Sequence, residues 1–570
     1  MDRQRLIQVA RGECPADLVL TNTRIVNVFS GEIESRNVAI SQGHIAGFDD
    51  YDAIRTMDMD GSLLAPGFID PHVHIESAMA CISEFTRAIL PLGTTSVIAD
   101  PHEIANVLGL SGIRYMLNSA EGQLLNIWFT LPSCVPATDM ETAGARLEAR
   151  DLLSLIDENR IVGLGEMMNF PGVIAGAPDV LKKIEIVQNH RKALDGHAPG
   201  LTGKPLYAYA SAGITSDHEC TSAREARQKL RAGMHIMIRE GTGAKNLKQL
   251  LPLVTERTCH RVMWCTDDRH PHDLLNEGHI NAMIKDAVRS GLDPVMAIRM
   301  ATLNPSEYYG LKNVGAIAPG RRADLVVLSD LSELRVEQVF SNGSLVAENG
   351  KLLPHIELPT TIPAPASMHL SPNGVDLAIA AHGDRIRLID LITDQIATRQ
   401  VIERASVSKG FAVADPQRDI LKLAVVERHR GTGNIGIGFV RGFGLKSGAL
   451  ASSVAHDSHN IIVVGVDDRD MQAAVSDIVS MGGGITAVQA GRPLARLPLP
   501  IAGLMSAEPV QKIRQCLDEL IQASHAMGCR LTDPFMSLSF LALPVIPELK
   551  LTDKGLVDVK RFEIVPLFVE

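Results

Sequence analysis

Between Gly67 and Asp268 a short apolar or β-branched run is followed by a helical pattern, and this alternation occurs eight times. The runs are GFIDPHVHI (67–75), TTSVIADP (94–101), LNIWFTLP (125–132), IVGLGEMM (161–168), a short piece around GHAPG (196–200), GITSDHE (213–219), HIMIREG (235–241) and RVMWCTDD (261–268). Helical spacing separates them, as in ISEFTRAILPLG, SGIRYMLNSAEG and LKKIEIVQNHRKALDG. Strand then helix, repeated, specifies parallel βα units. Eight of them over about 240 residues match a (β/α)8 barrel, whose chemistry lies at the C-terminal ends of its strands. The competing arrangement is a doubly wound open sheet. It seldom runs to eight units without a nucleotide-binding glycine turn after the first strand. The expected fold is therefore α/β, with the barrel at 64–311.

The flanks have a different texture. DLVLTNTRIVNV and NVAISQGHIAGF precede the barrel, and GAIAPGRRADLVVLSD and VEQVFSNGSLVAENGK follow the amphipathic DPVMAIRMATLNPSEYYG. Neither flank alone makes a stable sheet. Residues 15–63 and 312–355 are expected to pair into one composite β domain. A Pro-rich linker at 358–369 then leads to a third domain, 370–570, of α/β or α+β type.

Composition removes several function classes. A net charge of -11 and a pI near 6.0 oppose nucleic-acid binding, which needs a basic face to neutralise phosphates. With 14 Phe, 6 Tyr and 2 Trp there is little material for base stacking. The charge-free stretch Gly122 to Thr138 holds Gln123, Asn126, Pro132 and Pro136, so it reads as a core strand rather than a membrane span. MDRQRLIQVARGE lacks the apolar run of a secretory signal, which predicts a cytoplasmic chain. The 8 cysteines are scattered with no C-x-x-C pair and read as reduced and mostly buried. Histidine is the one unusual count, at 19.

A lone histidine is more often structural than a ligand, but position separates these. His72 and His74 end the first barrel strand, and a period of two puts both on one face. Glu166 ends the fourth strand, His197 follows the fifth, His218 ends the sixth and Asp267 ends the eighth. All six project from the rim where a barrel does chemistry. Carboxylates and imidazoles converging there are costly without a cation, because buried charge must be paired or coordinate a metal. Two divalent ions roughly 3.5–4 Å apart would satisfy six ligands, with Glu166 the natural bridge. Without thiolates the candidates are Mn, Fe or Zn.

PGFIDPHVHIES, with the later single histidines and the aspartate after strand eight, resembles the amidohydrolase superfamily. DPHVHIESAM, ADPHEIANVLG, GLGEMMNFPGV, GHAPGL, ITSDHECT, MIREGT and CTDDRHPHDLLNEGHI are similar to its bacterial adenine deaminase family, as are AHDSHNIIVVG and MGGGITAV in the last domain. The resemblance implies that His72, His74 and Asp267 hold one metal, His197 and His218 the second, and Glu166 bridges. Many superfamily members bridge with a carboxylated lysine, and no lysine stands there in this chain. This argues against a dihydroorotase or hydantoinase.

The implied reaction is hydrolysis of free adenine to hypoxanthine and ammonia, a purine-salvage step, by a homodimer with neither nucleic-acid nor membrane partners. A metal-activated water would attack C6, and Asp267 would take its proton and return it to the departing amine. The rivals are another aminated heterocycle, a cyclic amide, or a barrel used as a scaffold. Protonation of N1 has a first candidate in Glu240 after strand seven; the alternative is that Glu240 pairs with Arg239 or a loop amide. Asp100 and His102 after strand two either line the purine pocket, orient a ligand, or cap a helix. Glu76 and Ser77 stand just behind the two histidines, as expected substrate-side or supporting groups.

Four other motifs carry less. Gly431, Gly433 and Gly436 spell G-x-G-x-x-G, but the following IGIGFV is β-like, so a hairpin turn is expected. H-x-E occurs at 74–76 without a C-x-x-C, which excludes the His/Cys/Cys zinc deaminase fold. Met481 to Gly484 reads as a helix-to-strand turn. His456, Asp457 and His459 read as a solvated turn, with a substrate lid or metal element as the alternative.

Overall fold

Seven of the eight runs contain a strand in the computed structural model, which describes residues 2–370, 375–392 and 395–569, and the fifth strand lies just before the expected GHAPG piece, sharing only Gly196 with it. The strands are β1 Phe68–Val73, β2 Thr94–Ala99, β3 Asn126–Leu131, β4 Ile161–Met167, β5 Ala193–Gly196, β6 Ser216–Asp217, β7 His235–Arg239 and β8 Val262–Cys265. β1 to β5 pair in sequence order and β6 to β8 form a second parallel set. Thr215 N donates to Leu194 O at 3.3 Å between the sets. On the other side, His74 N donates to Asp267 O at 3.2 Å and Asp267 N to His72 O at 3.0 Å, so the ring closes through a proposed ligand. Asp267 does this with φ at 57°, in the left-handed region that aspartate enters more readily than most non-glycine residues.

The strands are buried on both faces, as parallel strands must be. Ile69, Ile98, Val162, Met237 and Met263 fill the interior with Tyr309 and Leu311. Outside, the helix Ile280–Arg289 turns Ile280, Met283, Ile284 and Ala287 inward, the one-face spacing of an amphipathic helix. Trp264, fully buried on β8, donates its indole N–H to Ala297 O at 2.9 Å.

Strands from Leu18–Val26 to Leu63–Pro66 and from Leu325–Leu328 to Lys351–Leu352 lie in one nine-stranded sheet. The two flanks meet where Leu63–Pro66 pairs antiparallel with Leu325–Leu328. This sheet extends past the expected edge at 63, leaving only Gly67 before β1. An N-terminal helix, Arg3–Ala10, is capped by Asp2, whose side chain accepts from Gln4 N and Arg5 N.

The C-terminal part is α+β. β9 Arg385–Leu391, β10 Thr398–Arg404, β11 Ile420–Val426, β12 Ile435–Arg441, β13 Ala449–Ser452, β14 Ile461–Gly465, β15 Gly484–Gln489 and β16 Arg492–Pro498 run in the order β10-β9-β12-β11-β14-β13-β15-β16. All neighbours are antiparallel except β9 and β12. Gly431 and Gly433 fall in the turn joining the β11–β12 hairpin, and Gly436 in β12. Helix Asp468–Ser480 gives way to β15 through Gly482 and Gly483, both at positive φ. Residues 371–374, at the expected start of this domain, lie outside the described residues.

This domain stands on the catalytic face of the barrel. Ser506 exchanges backbone hydrogen bonds with Met79 and Cys81 after β1, both at 2.8 Å. Asn460 Nδ2 donates to Thr142 O at 2.8 Å, and Asp553 Oδ1 accepts from Thr142 N at 2.8 Å, beyond β3. His272, after β8, reaches Asp518 at 2.7 Å. The Pro-rich linker is not a free tether: Pro359 O accepts from Ser83 Oγ at 2.6 Å and Ser367 O from the buried Arg428 at 3.0 Å.

Candidate metal centre

The six groups expected at the rim converge in a buried volume. His74 Nε2 is 3.1 Å from Asp267 Oδ1 and 3.3 Å from Glu166 Oε1, and His72 Nε2 is 3.2 Å from the same Asp267 oxygen. His218 Nε2 lies 3.2 Å from Glu166 Oε2, which His197 Nδ1 also contacts. The two oxygens of Glu166 thus face different histidine sets. Oε1 looks toward His74 and Oε2 toward His197 and His218, the disposition of a bridging carboxylate.

The donor set fits divalent cations. Two donors each about 2.1 Å from one ion stand roughly 3–3.5 Å apart, as these do. His72 Nδ1 sits on Asp195 Oδ2 at 2.8 Å and His74 Nδ1 on the Asp100 carbonyl at 3.0 Å. Both ring protons are thereby fixed on Nδ1, which leaves both Nε2 lone pairs for a cation. His218 is fully buried and neither ring nitrogen has a hydrogen-bond partner among the described residues.

The field is strongly polarised. Burial pushes the Asp267 carboxyl up, but the Arg239 guanidinium, 2.9 Å from Oδ2, together with His72 and His74, holds it well below the usual carboxylate range. Burial likewise opposes ionisation of Glu166, and His197 with its neighbours reverses that. His72 and His74 are driven down by burial and then raised well above the ordinary imidazole value by the facing carboxylates, led by Asp195 and Asp267 respectively. The carboxylates that raise these imidazoles are negative charges that also favour a cation between them.

The neighbouring expected groups separate. Asp100 is buried, and its Oδ2 accepts from Glu166 N at 3.0 Å while Oδ1 has no partner among the described residues. Its approach requires Gly165, where a Cβ would lie 2.1 Å from Asp100 Oδ2. His102 Nδ1 is 3.5 Å from Glu166 Oε1 and its Nε2 is 3.5 Å from Glu103. Glu76 accepts from Ile104 N at 3.2 Å through Oε1, and Ser77 Oγ donates to Asp268.

Glu240 does not join the cluster. Its carboxylate accepts from Leu247 N at 2.6 Å, the loop-amide alternative. Strand parity is the reason: Met237 packs inside the barrel while Ile236 and Ile238 pack outside, so Arg239 faces in and Glu240 out. Arg239, Asp195 and Glu219 were absent from the expected site. Glu219 pairs with Arg239, Nη2 to Oε2 at 3.1 Å. The same alternation carries a signal for Arg239, and the single acid in the apolar run ALDG carries one for Asp195.

His456, Asp457 and His459 are not a solvated turn. All three are buried, and both histidines contact Glu103 on the helix His102–Leu108 that follows β2. Packing of the C-terminal domain on the barrel covers them, which local sequence does not encode.

Residues 63–346 match the amidohydrolase family model and residues 395–563 match the adenine deaminase C-terminal domain. An adenine deaminase of Desulfatibacillum aliphaticivorans is 56% identical over 99% of both chains. One of Methanothrix thermoacetophila is 50% identical over 99% of both. The chain belongs to the adenine deaminase family. Its barrel is accordingly an amidohydrolase barrel, a fold that binds divalent metal, and the second matched segment is the family's own C-terminal domain. Among the described residues no helix is long and apolar enough to cross a membrane.

Proposed function

We infer that the chain hydrolyses adenine to hypoxanthine and ammonia. The observation that carries this is identity above one half, over essentially the full length, to a protein named adenine deaminase. The buried His/carboxylate cluster supplies chemistry of the matching kind. His72, His74 and Asp267 would hold one divalent cation and His197 and His218 a second, with Glu166 available to both; imidazole and carboxylate suit Mn, Fe or Zn. Such cations supply Lewis acidity and lower the pKa of water from about 15.7 to about 7.

The chain's own residues do the rest. Asp195 and the Asp100 carbonyl orient His72 and His74. Asp267 accepts the proton of the attacking water and delivers it to the C6 amine, which leaves as ammonia. Arg239, fixed by Glu219, keeps Asp267 ionised until that proton arrives. The C-terminal domain covers the mouth and excludes bulk water. The test is ammonia release by metal-replete protein from adenine, adenosine, guanine, cytosine and hydantoin. Release from adenine above the others is expected, and none from adenine overturns the reading.

A further inference from the structure

The Glu103 cluster looks at first like another cation site. Glu103 Oε1 is 2.9 Å from His456 Nδ1, Oε2 contacts His459 Nε2, and the three donors lie within 4.8 Å of one another. The histidine tautomer opposes that reading. Ala455 N donates to His459 Nδ1 at 3.1 Å, so the ring proton sits on Nε2 and is given to Glu103. An imidazole offering Nε2 to a cation would carry its proton on Nδ1, against the Ala455 N–H. The cluster is a hydrogen-bonded latch joining the C-terminal domain to the barrel.

The latch fixes segment 455–460 from one side, and the fully buried Arg428 fixes it from the other. Arg428 donates to the carbonyls of His459, Ser367 and Ala502, the last at 2.9 Å, and His429 Nε2 sits 2.6 Å from Ser458 O. His459 holds a left-handed φ of 55°. In this clamped segment Asp457 is only 5% exposed, yet its Oδ2 has no hydrogen-bond partner among the described residues. Leaving a buried carboxyl oxygen unsatisfied is costly, and such a group marks a place that a ligand completes. The adjacent His456 contacts Glu103 Oε1 at 2.9 Å, that oxygen is 3.5 Å from His102 Nε2, and His102 Nδ1 is 3.5 Å from Glu166 Oε1, so a short chain of contacts joins the segment to the metal centre.

We propose that Asp457, carried into the barrel mouth by the C-terminal domain, contacts the substrate at purine N1 and gives it a proton as C6 becomes tetrahedral. This rests on the deaminase reading above. C6 must face Asp267 and Glu166, and N1 is the ring nitrogen bonded to C6. When water adds to C6, the electron pair of the C6–N1 double bond moves to N1, which takes the Asp457 proton. Asp267 carries the first water proton to the amine. The second leaves the C6 hydroxyl as the carbonyl forms and restores Asp457, so adenine and water give hypoxanthine and ammonia. Burial first, then the negative charge of Glu103, pushes the Asp457 carboxyl up to about 6, which keeps a protonated fraction at hand near neutrality.

The experiment uses full-length, metal-loaded protein, wild type and Asp457→Asn, with adenine as substrate and 1-, 3- and 7-deazaadenine as inhibitors. The variant should lose about 100-fold or more in kcat/KM, within the usual range for a proton donor. Metal content should stay at the wild-type value and Tm should not fall, because the amide removes a buried carboxylate charge. Its inhibition constants should rise for the 3- and 7-deaza compounds and not for 1-deazaadenine, which lacks the nitrogen in question. Asp457→Glu should recover part of the activity. The assignment is overturned by an Asp457→Asn enzyme within about threefold of wild type, by coupling to another ring nitrogen, or by the same 1-deaza signature in Glu76→Gln, whose Oε2 also lacks a partner among the described residues. Should Asp457→Asn not fold, wild type binding 1-deazaadenine as tightly as 7-deazaadenine overturns it alone. Wild-type protein inert toward adenine overturns the deaminase reading instead.

Discussion

Two buried clusters of histidine and carboxylate sit within one interdomain mouth, and their ring protons distinguish them. In the barrel cluster the Nδ1 atoms of His72 and His74 are occupied by Asp195 and the Asp100 carbonyl, which leaves Nε2 for a cation. In the Glu103 cluster a backbone N–H occupies Nδ1 of His459, which leaves Nε2 carrying a proton. Composition alone would class both as metal sites. The second contact each imidazole makes decides which lone pair is free, and so one cluster is suited to cations and the other to holding domains together.

Substitutions can break that contrast, and the largest effect belongs to the barrel side. Asp267→Asn removes the proton carrier and should lower kcat about 10²–10⁴-fold, with folding and most of the bound metal retained; stopped-time ammonia assays and elemental analysis read the two separately. Retained turnover would remove Asp267 from its role. Glu103→Gln should do the reverse. It strips the charge partner from His456, and breaking a buried pair costs about 3–5 kcal/mol, seen as a lower Tm, while metal content stays at the wild-type ratio. Metal loss in Glu103→Gln would make the second cluster a cation site after all. Asp195→Asn should be milder still: the His72 ring keeps its place but loses its anchor, and metal affinity falls about 10–100-fold in a chelator titration.

How legible these two clusters were in the sequence follows from where their parts come from. Four of the six barrel groups lie just beyond the end of a strand and the other two, His72 and Glu166, at the penultimate position of one, so periodicity and strand count place them together. Parity along β7 also tells Arg239 from Glu240 once Met237 is known to face inward, although the sequence alone does not say which side of that strand is the interior. The second cluster joins residues more than 350 positions apart, Glu103 and His459 being separated by 356. No local pattern reports that the last domain folds over the β1, β2 and β3 loops. The same long-range packing turned an apparently solvated His-Asp-Ser-His turn into a buried wall.

The smallest predicted effect concerns pH and separates the latch from the chemistry. His456 faces Glu103, Asp268 and Asp457; burial pushes its imidazole down, and these carboxylates, Glu103 foremost, raise it from 6.5 to about 9. A group whose folded value is raised adds stability that is fully present below its unfolded value, near 6.5, and is lost as pH rises through about 9. The Tm difference between wild type and Glu103→Gln should therefore be larger at pH 6 than at pH 9.5, while that for Asp457→Asn, which removes a lesser neighbour of His456, should change less across the range. Because the latch spans both domains, its weakening should appear first as faster amide exchange in segment 455–460 and in the helix carrying Glu103, before any change in the barrel strands. A Tm gap that widens with pH would mean that His456 is neutral in the folded protein and that Glu103 is held by His459 and backbone contacts alone.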